Sequence, residues 1–170
     1  MNDIVHTLIL EDNIEKAEQL VFQLQYGGFT VDYLSVDNAK TLLAALQKKD
    51  WDMILANCAR PGFNGLKALR LLKQQGLRIP LITFAETLDE AEAIESIKTG
   101  AEDYISSQNQ SRLVASINRI KYQSNINKVE KSNEVLTATR GGIAKKLPLG
   151  IKLPVKEGII AQWRLPASLE

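Results

Sequence analysis

An acidic pair and an asparagine stand at the ends of two apolar runs and carry the side chains best suited to chemistry. Glu11 and Asp12 follow the apolar residues 8–10, and Asn57 follows the apolar residues 53–56. An acidic pair can hold a divalent cation, which assists phosphoryl transfer to a third carboxylate. Residue 57 is an amide, whose nitrogen lone pair is delocalised and whose oxygen is uncharged. We therefore expect no stable phosphoryl adduct there.

The elements that must position these residues are strands and helices in alternation. Between five apolar, β-rich runs, apolar residues recur at i, i+3 and i+4, as at Ala17, Leu20 and Leu24, which predicts helices with one buried face. Strands that are apolar on both faces and linked by helices favour a parallel sheet with right-handed crossovers. The predicted fold is a doubly wound α/β sandwich. Its strands are predicted at residues 5–10, 30–34, 53–56, 81–84 and 104–106.

Capping residues and glycines mark where the helices should begin and end. Asp37 and Asp89 are predicted N-caps, because a short acidic side chain can accept a hydrogen bond from a free backbone N–H in the first turn. Residues 27–28, Gly76 and Gly100 are predicted helix ends, where a left-handed conformation is needed. In a sheet of this kind, ligands bind at the carboxyl ends of the strands. The residues expected to converge there are Glu11, Asp12, Asn57, Ala85 and Ser107.

The order and spacing of these residues resemble the response-regulator receiver (CheY-like) domain. Residues 61–66, Pro-Gly-Phe-Asn-Gly-Leu, and residues 100–104, Gly-Ala-Glu-Asp-Tyr, resemble further motifs of that family. The resemblance covers about residues 4–122. It implies a flavodoxin-like sheet of five parallel strands in the order 2-1-3-4-5. It also implies that Glu11 and Asp12 occupy metal-binding positions and that Asn57 occupies the position of the phospho-acceptor aspartate.

Three positions depart from the pattern that the family implies. Asn57 replaces the acceptor, Ala85 replaces a switch serine or threonine, and Ser107 replaces a lysine that clamps the phosphate. Their combined loss indicates a degenerate receiver, or pseudo-receiver, that is not an enzyme and does not accept phosphate. Asn57 is expected instead to donate a hydrogen bond to Glu11 or Asp12, which relieves the repulsion that a third carboxylate would add.

A resident cofactor is not predicted, and the question of metal stays open. The resemblance assigns a weak Mg²⁺ site to Glu11, Asp12 and the carbonyl oxygens of Asn57 and Ala59. The alternative is a solvated acidic pair at the positive end of the first helix. His6 has no acidic or cysteine ligands at metal-binding spacing, so a metal role for it is disfavoured.

A receiver without phosphoryl chemistry still has its surface. In the family, the fourth helix, fifth strand and fifth helix form the output and dimer face, which the resemblance carries to residues 89–120. We expect this face to bind a protein partner, a downstream module or a second copy of the chain as a homodimer. The positions assigned to it are Ile94, Ile97, Tyr104, Leu113 and Ile117.

A narrower resemblance concerns the opening motif, residues 7–13, Thr-Leu-Ile-Leu-Glu-Asp-Asn. Together with the lost acceptor, it is similar to the N-terminal pseudo-receiver of FimX-like GGDEF/EAL cyclic-di-GMP receptors, which act in type IV pilus control. No cyclic-di-GMP site can be assigned to this sequence. Two alternatives to the interaction module are an Mg²⁺-dependent phospho-accepting response regulator and a binder of nucleic acid or an acidic partner.

Composition and charge divide the chain into parts. The 45% hydrophobic and 24% charged content, with no apolar stretch near the ~20 residues of a membrane span, predicts a cytoplasmic globular protein. The single cysteine, Cys58, excludes an internal disulfide and is expected to be buried. Residues 1–122 hold 13 basic and 16 acidic side chains, or −3, whereas residues 140–170 hold 6 and 2, or +4. Four net charges are a weak nucleic-acid signal, so nucleic-acid binding is disfavoured.

The predicted organisation has three parts. Residues 1–122 form the receiver-like domain, residues 123–138 a helical linker or extension, and residues 139–170 a basic tail that contains proline and glycine. The tail holds too few apolar residues in a regular pattern to form a core by itself.

Overall fold

The computed structural model describes the backbone of residues 4–138 and the side chains of residues 4–132. Strands and helices alternate throughout this part. The elements are β1 Ile4–Leu10, α1 Ile14–Tyr26, β2 Thr30–Val36, α2 Ala39–Lys48, β3 Met53–Asn57, α3 Gly65–Gln74, β4 Leu81–Ala85, α4 Glu90–Thr99, β5 Asp103–Ser106 and α5 Gln110–Ala138.

The five strands form one parallel sheet in the order β2-β1-β3-β4-β5, which confirms the predicted doubly wound fold. Each strand begins or ends one or two residues beyond the predicted bounds. At β2 the reason is pairing, because Val36 still pairs with Leu10 at the end of β1. The pairing of Asn57 with Phe84 likewise extends β3 by one residue.

Alternate residues of the strands contribute to two cores, one on each face of the sheet. Ile9 and Leu55 belong to the core that contains Leu24 of α1 and Ile117 of α5. Leu8 and Ile54 belong to the other core, with residues of α2 and α3. Because successive side chains of a strand point to opposite faces, an apolar run fills both cores at once. This explains why β1 is apolar at residues 8–10 and β3 is apolar at residues 53–56.

The chain divides into two compact units, Met1–Gln123 and Ser124–Glu170. Within the first unit, Leu113, Ile117 and Ile120 of α5 are buried. In the second unit the structure describes residues 124–138, which are helical. The predicted basic tail, residues 139–170, lies outside the described residues, so the three-part division stays a prediction. Within the described residues, no helix combines the length and apolarity that a membrane crossing requires.

One predicted helix cap is confirmed and one is wrong. Asp89 is the N-cap of α4, and its carboxylate accepts a hydrogen bond from the backbone N–H of Glu92 at 2.8 Å. At α2 the N-cap is Asn38, which accepts from the Thr41 N–H at 2.9 Å, whereas Asp37 precedes the cap. Asp37 accepts hydrogen bonds from the side chains of Asn38 and Thr41. The acidic residue therefore supports the cap from one position earlier.

The loop between β3 and α3 depends on glycine for a close approach. A Cβ added at Gly65 would lie 2.9 Å from Cys58 Sγ and 3.2 Å from the Ala56 carbonyl oxygen. These distances are shorter than ordinary van der Waals contact, so the start of α3 must shift to admit a methyl group. In this arrangement Asn64 caps α3.

We expect Gly65→Ala to lower the free energy of unfolding by about 1–3 kcal/mol, the usual range for overpacking a closely packed site. Urea denaturation followed by circular dichroism measures this change. Lys67→Ala, at an exposed position in the same helix turn, is the control and should change stability by less than about 0.5 kcal/mol. Equal stability of Gly65→Ala and the natural chain would show that α3 does not pack this closely.

Candidate functional site

The carboxyl ends of four strands bring the predicted site residues to one edge of the sheet. Asn57 ends β3 and pairs with Phe84, and Ala85 ends β4 and pairs with Ser106. Glu11 follows Leu10, which pairs with Ala56. The Ser107 N–H donates to the Ala85 carbonyl oxygen at 2.9 Å. Glu11, Asn57, Ala85 and Ser107 therefore stand side by side, as the sequence predicts.

The side chain of Asn57 is held in one orientation by two hydrogen bonds. Its Nδ2 donates to Glu11 Oε2 at 2.6 Å, and its Oδ1 accepts from the Ala59 N–H at 2.8 Å. Asn57 and Glu11 are only 8% and 4% exposed. The reversed amide would place an oxygen against the carboxylate and an N–H₂ group against another donor, so this orientation is fixed. The predicted hydrogen bond between Asn57 and Glu11 is confirmed.

Glu11 has donors on both of its carboxylate oxygens. Oε2 accepts from Asn57, and Oε1 accepts from the Asn13 N–H at 3.0 Å. The Asn13 side chain also caps α1, since it accepts from the Lys16 N–H at 3.2 Å. Glu11 is thus tied both to the acceptor position on β3 and to the start of α1.

Asp12 is more exposed than Glu11 and faces an arginine. Arg60 Nη2 lies 3.4 Å from Asp12 Oδ2, and the Arg60 side chain is only 8% exposed while that of Asp12 is 59% exposed. Hydrogen bonding with the neighbouring Glu11 carboxyl, followed by the charge of Arg60, lowers the pKa of Asp12. Sequence reasoning did not assign a role to Arg60. The available sequence signal was a basic residue three positions after Asn57, in the loop that follows β3.

Four oxygens of the residues predicted to hold Mg²⁺ already face N–H donors or a cation. Both Glu11 oxygens and Asn57 Oδ1 accept N–H groups, and Asp12 Oδ2 lies beside the Arg60 guanidinium. Across the described residues, no group of three or more His, Cys, Asp or Glu side chains is arranged to hold a metal ion. Mg²⁺ requires near-octahedral oxygen coordination and keeps part of its water shell. In this arrangement the residues present do not fit the ion.

The side chain of Ala85 has no hydroxyl, and that of Ser107 has no positive charge, for a phosphoryl group to contact. Ala85 is 1% exposed, and its methyl group packs with Cys58 and Tyr104. Ser107 is anchored through its backbone, since its carbonyl oxygen accepts from Gln23 Nε2 at 2.9 Å. Burial raises the pKa of the Cys58 thiol, which is consistent with the predicted buried cysteine.

The five positions assigned to the interaction face do not lie together on the surface. Ile94 and Ile97 of α4 are 48% and 50% exposed, whereas Tyr104, Leu113 and Ile117 are 5%, 4% and 0% exposed. The assignment of these last three side chains to the surface is therefore wrong. Leu113 and Ile117 pack in the core with β5, and Tyr104 packs against the residues at the ends of β3 and β4.

Tyr104 connects β5 to the start of α4. Its hydroxyl donates to Glu92 Oε2 at 2.6 Å and accepts from the Asp89 N–H at 3.3 Å. Burial first, and the hydrogen bond to Glu92 second, raise the pKa of Tyr104 to about 12. The neutral hydroxyl thus holds the N-terminus of α4 against the sheet.

Comparison with known proteins finds relatives that match part of this chain. Phosphate regulon transcriptional regulatory protein PhoB of Klebsiella pneumoniae is 31% identical over 102 residues, which are 58% of this chain and 43% of PhoB. The chain spans less than half the length of the curated relatives it matches.

Two solved receiver domains have the same fold. That of the Francisella response regulator 1452 has a TM-score of 0.61 and 20% identity, covering 71% of this chain and 98% of its own. That of the Pseudomonas aeruginosa PAO1 sensor histidine kinase PA1611 has a TM-score of 0.56 and 20% identity, covering 68% and 95%, and holds a magnesium ion in its active site cleft.

The family match extends over most of the sheet, helices α1 to α4 and the first part of α5. Residues 7–118 match the model of the response regulator receiver domain. This range includes the acidic pair, the acceptor position and the ends of all the strands described above. The chain therefore belongs to the response regulator receiver domain family.

Proposed function

We propose that this receiver domain is a pseudo-receiver, a phosphorylation-independent interaction module in bacterial signal transduction. The observation that carries the proposal is the amide of Asn57 at the acceptor position, buried and hydrogen-bonded to Glu11. A carboxylate nucleophile is needed for an acyl phosphate, and an amide does not supply one. The domain then signals through its shape and surface.

Two side-chain hydrogen bonds support a single conformation of the domain near the carboxyl ends of its strands. Asn57 links β3 to Glu11 at the end of β1, and Tyr104 links β5 to α4. Both contacts are buried or partly buried, where the loss of a partner for a polar group is costly. Ala85 lies between these two contacts and offers no hydroxyl that a phosphoryl group could move. Neither contact needs phosphate to form.

The exposed apolar residues of α4 are the surface that we assign to binding. Ile94 and Ile97 are separated by three positions and lie on one side of the helix, each about half exposed. Leu88, just before the helix, is 61% exposed. Neighbouring exposed apolar side chains of this size are typical of a protein contact. We propose that a second copy of the chain or a signalling partner covers Leu88, Ile94 and Ile97.

We expect the natural chain to form a dimer that the double substitution Ile94→Asp and Ile97→Asp weakens by about tenfold or more, because two carboxylates would be desolvated in the contact. Sedimentation velocity over a range of concentrations, without a phosphodonor, gives the dissociation constant. Phe22→Asp, at a 66% exposed position on α1, is the matched control and should leave the constant unchanged. A natural chain that is monomeric at all concentrations would rule out a second copy as the partner at this surface. Dimerisation only with a phosphodonor would contradict phosphorylation-independence.

The narrower context is carried by sequence resemblance alone. A role in cyclic-di-GMP or type IV pilus regulation would follow from the likeness of residues 7–13 and the lost acceptor to FimX-like receptors. PhoB, one of the curated relatives, is a transcriptional regulatory protein. Binding of nucleic acid or an acidic partner by residues 139–170 remains a prediction, since these residues lie outside the described part.

A further inference from the structure

We propose that the guanidinium group of Arg60 replaces Mg²⁺ as the cation of the crevice, so that the acidic pair is neutralised from within the chain and divalent ions are excluded. This inference goes beyond the interaction function. It concerns the metal site alone and holds whether or not the domain dimerises.

The burial of Arg60 is the first support. Its side chain is 8% exposed, and Nη2 lies 3.4 Å from Asp12 Oδ2. Its Nε and Nη1 are buried and have no acceptor among the described residues. Removing a guanidinium from water without hydrogen-bond partners is unfavourable, so attraction to nearby carboxylates is what compensates it. The acidic pair therefore holds the arginine in place.

The second support is a comparison with Lys16, another cation near the acidic pair in the described part of the chain. Lys16, on the first turns of α1, forms an ion pair with Glu86 at 2.5 Å and is 43% exposed. That contact is on the rim, where solvent screens it. Arg60, by contrast, comes from the loop that follows β3, three residues after Asn57 at the end of that strand. It is tethered where a metal would otherwise balance Glu11 and Asp12.

The third support is the state of the ligand oxygens. A divalent ion would have to displace the Asn57 and Asn13 donors from Glu11 and also approach a fixed positive charge. The displaced amide of Asn57 would be left buried without its partner. The crevice would then hold three positive charges, one from Arg60 and two from Mg²⁺. The arginine thus opposes Mg²⁺ both by charge and by occupying Asp12.

Isothermal titration calorimetry with MgCl₂ on the full chain tests the proposal. We expect no saturable binding to the natural chain up to about 20 mM Mg²⁺, and binding at least about tenfold tighter in Arg60→Ala, because a repelling charge within a few ångströms is removed. Backbone amide NMR shifts of Asp12, Asn13 and Ala59 locate the ion in the variant. Arg60→Lys keeps the charge and should remain as weak as the natural chain.

Arg70→Ala is the matched control for the loss of one positive charge. Arg70 is 55% exposed and pairs with Glu95 on the surface, so its removal should not change Mg²⁺ binding. Circular dichroism melting confirms that each variant is folded. Should Arg60→Ala unfold, the Arg60→Lys and natural chains still decide the matter, because millimolar Mg²⁺ binding to either overturns the proposal. A folded Arg60→Ala variant that binds no more tightly than the natural chain also overturns it.

Discussion

Asn57→Asp is expected to destabilise the domain by about 2–4 kcal/mol at neutral pH, the range for a buried polar group that loses its partner and gains an unpaired charge. The Asn57 Nδ2 donates to Glu11 Oε2 at 2.6 Å, and both residues are almost fully buried. The substitution turns this donor into a carboxylate oxygen against a second carboxylate. A contact that stabilises the natural chain thus becomes a repulsion.

The loss of stability in Asn57→Asp is expected to depend on pH. A carboxylate beside a like charge has its folded pKa raised, so the folded state binds the proton more tightly than the unfolded state does. The penalty of Asn57→Asp is therefore largest at neutral pH and shrinks as the pH falls and the pair takes up a proton. Urea denaturation at neutral and mildly acidic pH measures it.

Asn109→Asp is the matched control, because Asn109 is exposed and its side chain accepts from the Arg112 N–H at 3.1 Å, a role that aspartate also fills. It should change stability by less than about 0.5 kcal/mol. Equal stability of Asn57→Asp and the natural chain at neutral pH would contradict the hydrogen bond to Glu11.

Restoring the acceptor alone is expected to leave phosphorylation at least about 100-fold slower than restoring the whole site, because phosphoryl transfer depends on a metal ion and on donors around the equatorial oxygens. In Asn57→Asp, Arg60 still faces Asp12, Ala85 still lacks a hydroxyl and Ser107 still lacks a cation. The full restoration combines Asn57→Asp, Arg60→Met, Ala85→Thr and Ser107→Lys.

Intact mass spectrometry during incubation with acetyl phosphate and Mg²⁺ gives both rates. Two intermediate variants sharpen the comparison: Asn57→Asp with Arg60→Met tests the metal site alone, and Asn57→Asp with Ala85→Thr and Ser107→Lys tests the phosphate contacts alone. We expect the rate of phosphorylation to rise more in Asn57→Asp with Arg60→Met than in the other intermediate variant, since a metal ion is required for charge neutralisation. If Asn57→Asp reacted as fast as the fourfold variant, the loss of function would lie at residue 57 alone.

The sheet and the centre of the site could be predicted from the sequence for a physical reason. Apolar runs define strands, and parallel strands in this order bring their carboxyl ends to one edge. Once Glu11 and Asn57 end adjacent strands, a hydrogen bond between carboxylate and amide is the arrangement that leaves no polar group unpaired. The prediction therefore depended on spacing and not on loop geometry.

The features that were missed depend on loop geometry or helix phase. The direction of Arg60 is set by the turn at residues 58–64, which has no periodicity from which to infer it. Leu113 and Ile117 were assigned to the surface by resemblance, although their i, i+4 spacing on α5 is that of a buried stripe. The apolar pattern of α5 therefore indicated the burial of these residues correctly. Of the five positions assigned to the interaction face, Ile94 and Ile97 are exposed, and Leu88 just before α4 is exposed as well.

We propose that the crevice of this receiver cannot carry phosphate. The direct measurement is the intact mass of the natural chain after prolonged incubation with acetyl phosphate and Mg²⁺, with a phosphorylated receiver treated in parallel as a positive control. We predict an unchanged mass for the natural chain. A stoichiometric increase by one phosphoryl group, mapped to Glu11, Asp12 or the β3 to α3 loop, would contradict the account.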